Sequence, residues 1–250
     1  MDCIGQRGGH FEEHLRCRAE AAFAVNSIQH TQGVPQFGRF DYSRAELVAD
    51  GLIHAVGIVA AISAGSVLLA LSVFRTGPWE YVAAVFYVVS LLASLSISCA
   101  YNLWPASPAK WLLRRFDHAA IFLLIAATYT PFLAQLDTAT ARGMTALVWG
   151  AAALGIAVKL AFPGRLDRVA IVFYLAVGWS GVMAARTLSE ALPASTLWLI
   201  VAGGVAYSGG VAFFVWKQLR FQNALWHGFV VLGACLHLAA VMDCLVIDRL

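Results

Sequence analysis

The sequence predicts an all-α, polytopic membrane protein with seven transmembrane helices, a cytoplasmic amino terminus and a carboxyl terminus outside. Three observations predict this fold class. The 250 residues are 60% hydrophobic and only 12% charged, with a mean hydropathy of +0.74, whereas soluble domains carry roughly 25% charged residues. Seven apolar runs each reach the roughly 20 residues that cross a bilayer. Basic residues are concentrated in every second connection, as in proteins that cross a membrane several times. The composition excludes a water-soluble enzyme of ordinary type.

The predicted spans follow one another along the chain with short polar, proline-containing or glycine-containing connections. They cover about 47–73, 80–102, 115–135, 143–162, 168–187, 195–215 and 225–246. Long apolar runs without alternation favour helices over the strands of a membrane barrel, because each backbone polar group needs a partner inside lipid. We therefore expect one seven-helix domain over residues 42–250.

Residues 1–41 are predicted to form a flexible cytoplasmic arm. They are rich in charged residues and contain no apolar run of the kind found in a secretory signal. The five cysteines of the chain show no paired spacing, so neither a disulfide framework nor a Cys-x-x-Cys zinc site is predicted.

The basic residues predict the orientation of the helices. All but four of the 17 lysines and arginines lie in the arm or in the even-numbered connections; the four are Arg75, Arg142, Arg186 and Arg249. By the positive-inside rule, the arm and the even-numbered connections are cytoplasmic. This layout accounts for most of the net charge of +3, and nothing in it indicates nucleic-acid binding.

Polar residues gather at the predicted cytoplasmic ends of four spans. Residues four apart share a helix face, and this spacing recurs in the first, second and seventh spans, while the third span begins with an Asp-His pair. The set is Glu46, Asp50, His54, Ser98, Asn102, Asp117, His118, Asn223 and His227. Because isolated polar groups are costly in lipid, their convergence predicts a buried site. Helix capping by the acidic and amide residues, or an interhelical hydrogen bond from His54, stays open as an alternative.

Three motifs carry a resemblance to a known family. Tyr-Asn-Leu-Trp-Pro at 101–105, Asp117-His118 followed by Thr-Tyr-Thr-Pro-Phe at 128–132, and Leu-Trp-His-Gly at 225–228 resemble the hemolysin III family. The resemblance covers about residues 42–246 and implies a seven-span protein of the bacterial inner membrane. It also implies kinship with the progestin and adipoQ receptor group and with alkaline ceramidases. Glu46, Asp50 and His54 resemble the family's first motif, in which Asn is usual at position 50.

The resemblance implies a zinc ion near the cytoplasmic face. The implied ligands are histidines at 102, 223 and 227, with Asp117 holding the metal-bound water. Ser98, Asp117 and His227 match this pattern, but Asn102 and Asn223 replace two ligands. A carboxamide is a weak ligand, and catalytic zinc normally has three strong ones. The sequence therefore favours a polar network without a resident cofactor; zinc with a third ligand from Cys99, His118 or Asp50 is the alternative.

Three functions are considered for a site in which Asn replaces two of the three metal ligands implied by the resemblance. The favoured one is non-catalytic sensing or regulation of membrane lipid state, with membrane lipids as partners and a small lipid ligand in the helical cavity. The alternative is a zinc-dependent lipid amide hydrolase with Asp117 as general base, Ser98 assisting the oxyanion and His227 on the metal. Pore formation follows only from the family's name, because the spans carry no recurring polar stripe.

Overall fold

The helices of a computed structural model lie close to the predicted spans. The model describes residues 42–136, 138–162 and 167–250, so the predicted arm lies outside the described residues. We number the helices in chain order: α1 (Arg44–Arg75), α2 (Pro78–Leu103), α3 (Pro108–Leu133), α4 (Thr138–Ala161), α5 (Asp167–Gly178), α6 (Ala185–Ala191), α7 (Ala194–Val215) and α8 (Gln222–Leu245). In this part of the chain, seven spans are long and apolar enough to cross a membrane, α5 and α6 together forming the fifth. The all-α, seven-span prediction is confirmed.

The third span begins seven residues earlier than the sequence suggested. Ser107 caps α3 by accepting a hydrogen bond from the Lys110 amide, and Pro108 occupies the first turn, where its missing N–H costs nothing. The Lys110 ammonium then donates to the carbonyls of Asn102 and Trp104. The polar stretch that resembled a long connection is thus the first turn of the helix, attached to the end of α2.

The fifth span, predicted as one helix over 168–187, is interrupted. A 3₁₀ segment over Ser180–Ala184 separates α5 from α6. The Tyr129 hydroxyl of α3 donates to the Gly178 carbonyl at 2.6 Å and accepts from the Gly181 amide at 2.8 Å. A side chain from a neighbouring helix therefore satisfies backbone groups that the break frees, as a break inside lipid requires.

Two apolar clusters hold the helices together. One lies between α1, α2 and α8 and includes Leu68, Tyr87 and Val241. The other lies between α3, α4 and α5 and includes Phe122 and Val148. Large apolar side chains also point outward along the spans, as expected where the surrounding solvent is lipid.

Gly57 of α1 packs tightly against α8. A Cβ atom built on this residue would lie 2.7 Å from Cγ2 of Val231, closer than side chains tolerate. The absence of a side chain at Gly57 leaves room for Val231, as small residues do at helix contacts in membrane bundles. The contact places the first turns of α1 next to the start of α8, where the polar residues lie.

Candidate functional site

The centre of the site consists of three buried side chains from two helices. Asp50 and His54 lie one turn apart on α1, and His227 lies on α8; their exposed fractions are 2%, 1% and 6%. The four-residue spacing on α1 places the carboxylate and the imidazole on one face, as predicted. The two rings meet edge to face, with centroids 4.4 Å apart.

Asp50 determines which nitrogen of each ring carries the proton. Its backbone carbonyl lies 2.9 Å from Nδ1 of His54, and its Oδ1 lies 2.6 Å from Nδ1 of His227. Carbonyl and carboxylate oxygens only accept hydrogen bonds, so both Nδ1 atoms donate. In the neutral rings, both Nε2 atoms are therefore acceptors, and they lie within hydrogen-bond distance of the Ser98 hydroxyl and the Asn102 amide.

The two asparagines at the family's ligand positions are engaged in hydrogen bonds. The Asn223 amide donates to Oδ2 of Asp50 and to Oδ1 of Asn102, each at 3.1 Å. The Asn102 amide donates to the Ser98 carbonyl at 2.9 Å and lies 3.5 Å from Nε2 of His227. These contacts join α1, α2 and α8 in one network, so the predicted polar cluster exists with Asp50 at its centre.

Ser98 and Asp117 border the network. The Ser98 hydroxyl lies 3.4 Å from Nε2 of His54. Asp117, half-buried at the start of the apolar part of α3, has Ser98 and His227 among its electrostatic neighbours. Ser98, Asp117 and His227 therefore lie in the same region of the bundle; their roles stay a prediction.

His118 does not join this network. It faces a second cluster, in which its Nδ1 lies 3.7 Å from Asp167. The same carboxylate pairs with Arg114 at 2.5 Å and with Lys159 at 2.7 Å. Burial would raise the pKa of Asp167, but the hydrogen bond from Lys159 and the charge of Arg114 hold that pKa below its ordinary value.

The sequence alone missed this second cluster. Its signal in the sequence is the excess of basic residues at one end of the spans, and that excess predicts only the orientation of the helices. The partner of Arg114 and Lys159 comes from a third helix and has no spacing relation to either of them.

Glu46 connects the start of α1 to the start of α8. Its Oε2 accepts from the Ser43 amide at 2.9 Å, and its Oε1 accepts from the Phe221 amide at 3.1 Å. Phe221 has a φ of 59°, a left-handed conformation that is uncommon without glycine. A side chain of α1 therefore holds the turn that positions Asn223 and His227.

The site contains two sets of candidate metal ligands, which differ in their donor atoms. Asn102 and Asn223 offer amides that are already hydrogen-bonded, so the three positions implied by the resemblance do not fit zinc. Asp50, His54 and His227 each offer one ligand atom, and these atoms all lie within 4.8 Å of one another. This second set could hold a metal ion.

Comparison with known proteins agrees with the motifs and the fold. The family described as Haemolysin-III related matches residues 44–238. The chain belongs to this hemolysin III family. The hemolysin III chain is 32% identical to "Hemolysin-3 homolog" of Bacillus subtilis (strain 168), over 76% of this chain and 89% of the relative. It is also 32% identical to "Hemolysin-3" of Bacillus cereus, over 79% and 90%.

A mammalian relative extends the comparison. The hemolysin III chain is 28% identical to "Monocyte to macrophage differentiation factor" of Homo sapiens, over 83% of this chain and 87% of the relative. No solved structure matches the chain. The family and the seven spans together make this an integral, multi-pass membrane protein.

Proposed function

We propose that this hemolysin III protein senses or regulates the state of membrane lipids without hydrolysing them. One observation carries the proposal: the Asn223 amide bridges Asp50 and Asn102. Two positions that the resemblance assigns to metal ligands are thereby used to join helices. The network acts as a lock between α1, α2 and α8 at the end of the bundle that the basic residues predict to be cytoplasmic.

A buried polar lock of this kind responds to helix movement in a nearly all-or-none way. In a medium of low dielectric constant its hydrogen bonds strengthen one another, and a partly broken network leaves unsatisfied groups at high cost. The helices that it joins present apolar faces outward, such as Val56 and Val59 of α1, which are 64% and 62% exposed. Lipids that pack against these faces can therefore shift the helices, and with them the equilibrium between the intact and the broken hydrogen-bond network.

A lipid ligand could bind between the helices only if they moved apart. An apolar cavity of about 10 Å³ lies beside the lock, lined by residues of α1, α2 and α8 that include Gly57, Leu91 and Val231. This volume is about that of one water-sized probe. Binding of an acyl chain at this place would therefore open the bundle, which couples lipid binding to the lock.

Hydrogen exchange of the full-length protein in lipid nanodiscs tests this proposal. We expect amides of residues 44–58 and 222–231 to differ in exchange by about tenfold, or 1.4 kcal/mol of opening free energy, between saturated and unsaturated phosphatidylcholine. Asp50→Asn should abolish the difference. Asp243→Asn is the matched control, because Asp243 accepts from Ser195 and Thr196, away from the lock. Exchange in the unmodified protein that ignores acyl composition would overturn the proposal.

A lipid amide hydrolase is the second candidate. It is favoured by the surroundings of Asp117, whose carboxylate interacts electrostatically with Ser98 and His227, since such a reaction needs a base, an oxyanion partner and a metal ligand. Release of fatty acid from a ceramide that falls in both Asp117→Asn and Ser98→Ala would support this candidate over the first.

A further inference from the structure

We propose that the cluster of titratable side chains where α3, α4 and α5 meet binds the phosphate of an anionic glycerophospholipid. Its members are Arg114, His118, Lys159 and Asp167, and we call them the second cluster. The inference goes beyond the proposed lipid sensing and does not rest on it, because it concerns a lipid headgroup and a different set of helices.

The second cluster lies at the level of the lipid headgroups. Lys159 is two residues from the end of α4, and Asp167 is the first residue of α5. The apolar spans of these two helices end at Ala161 and begin at Val169. The cluster is therefore at the edge of the hydrocarbon core, where the polar headgroup region of a bilayer begins.

Lys159 is a buried cation with fewer acceptors than donors. Its side chain is 3% exposed, and among the described residues its ammonium donates to Oδ1 of Asp167 at 2.7 Å. An ammonium has three N–H groups, and a buried donor without an acceptor is costly. The oxygens of a phosphate group would accept from the two remaining N–H groups.

Arg114 and His118 bring further donors to the same carboxylate. The Arg114 guanidinium donates to Oδ2 of Asp167 and hydrogen-bonds Tyr101, which leaves part of its five N–H groups for another acceptor. Nδ1 of His118 lies 3.7 Å from Oδ1 of Asp167, beyond hydrogen-bond distance. Donors from two helices thus converge on one carboxylate that cannot accept from all of them.

The chain around the second cluster carries an excess of positive charge. Residues 104–118 and 159–168 contain the basic residues Lys110, Arg114, Arg115, Lys159, Arg165 and Arg168 and the acidic residues Asp117 and Asp167. Asp167 opposes a bound anion, but it neutralises only one of the two cations that it touches. Basic pockets between transmembrane helices attract anionic headgroups, whereas the positive choline of a zwitterionic lipid gains nothing there.

The surface beside the second cluster fits acyl chains and so favours a lipid over free phosphate. The side chains of Arg114 and Asp167 are 16% and 31% exposed, so the cluster opens to the surface of the bundle. One or two positions away on each helix stands an outward apolar side chain: Phe116 is 46% exposed, Leu160 38% and Val169 59%. A lipid bound by its phosphate would lay its chains on these faces.

Calorimetric titration of the full-length protein in detergent tests the inference. We expect dioctanoyl-phosphatidylglycerol to bind with a Kd about tenfold below that of dioctanoyl-phosphatidylcholine, because two cations attract its net negative charge. It should also raise the Tm, since a ligand that binds only the folded state stabilises it. Inorganic phosphate should bind more weakly than phosphatidylglycerol, because it has no chains to pack on the apolar faces.

Three variants separate a binding site from a structural ion pair. Lys159→Gln should raise the Kd for phosphatidylglycerol about fivefold. Lys217→Gln is the matched control and should leave the Kd unchanged, because it removes the same charge from an ammonium that lies over the Phe214 ring, 4.0 Å from its centroid. Asp167→Asn should lower the Kd, since the carboxylate opposes the anion; a cluster that only joins helices would not bind lipid more tightly after losing its ion pair.

The unmodified protein keeps the test independent of variant folding. Equal Kd values for phosphatidylglycerol and phosphatidylcholine would overturn the inference. An equal rise in Kd in Lys159→Gln and Lys217→Gln would overturn it in favour of general surface charge, and phosphate binding as tight as lipid binding would assign the cluster to free phosphate. These outcomes are separate from those of the hydrogen-exchange test, which varies only the acyl chains of phosphatidylcholine.

Discussion

At the scale of single residues, Asp50 has the largest effect on how the site works. Its carbonyl and its carboxylate fix the rings of His54 and His227, and Asn223 donates to its second oxygen. The sequence predicted which residues of each helix share a face, because residues four apart are neighbours on a helix. It also grouped His118 with them, and the structure shows why this fails. Consecutive residues point about 100° apart, so Asp117 and His118 face different neighbours.

Asn223→Ala tests the lock at this scale. The substitution removes two hydrogen bonds and leaves the buried Asp50 carboxylate with one donor fewer, so we expect a loss of about 1.5–3 kcal/mol in the free energy of unfolding. Reversible unfolding in mixed micelles measures it. The same substitution combined with Asp50→Asn should cost less than the sum of the two single changes. A loss below about 0.5 kcal/mol would contradict a lock centred on Asp50.

At the scale of helices, close packing and shared polar clusters position the site. The lengths of the spans followed from apolar runs, since hydropathy is a local property of the chain. The early start of α3 and the break after α5 did not follow, because they depend on a cap at Ser107 and on the hydroxyl of Tyr129 from another helix. Such tertiary contacts leave no periodic signal in the sequence.

Gly57→Ala tests the approach of α1 to α8. The added methyl group would meet Val231 at 2.7 Å, so we expect a loss of about 1–3 kcal/mol in stability. Gly150→Ala is the matched control, because a Cβ there meets nothing within 4 Å and alanine favours a helix by up to about 1 kcal/mol. Thermal unfolding of both variants decides the matter; equal effects would show that the close approach does not exist.

The second cluster predicts a pH dependence. The pKa of Asp167 is lowered in the folded protein from its ordinary value of 3.8, so its carboxylate stabilises the junction of α3, α4 and α5 above that pH. The contribution is lost as pH falls through 3.8 toward the lowered value. Asp167→Asn should lower the free energy of unfolding at pH 7. It should also reduce the loss of stability between pH 7 and acid pH, measured by unfolding at a series of pH values. An unchanged loss would assign it to another group.

At the scale of the whole molecule, the alternation of basic residues predicts that the amino terminus is cytoplasmic and the carboxyl terminus outside. In a bacterial inner membrane, alkaline phosphatase fused after Leu250 should be active and a fluorescent protein at the same position should be dark. Fusions in the connection after α2, at residues 104–107, should show the reverse pattern. A fluorescent carboxyl-terminal fusion would place the polar lock on the outer side of the membrane.

The absence of lipid hydrolysis is the claim on which the proposed function rests most directly. The decisive measurement is fatty-acid release from a ceramide by the full-length protein in nanodiscs, with zinc or cobalt added, compared with Asp117→Asn at equal amounts. We predict equal, background release from both proteins, because Asn102 and Asn223 join helices at the positions where the resemblance implies metal ligands. Release by the unmodified protein that disappears in Asp117→Asn would contradict the account and identify a hydrolase.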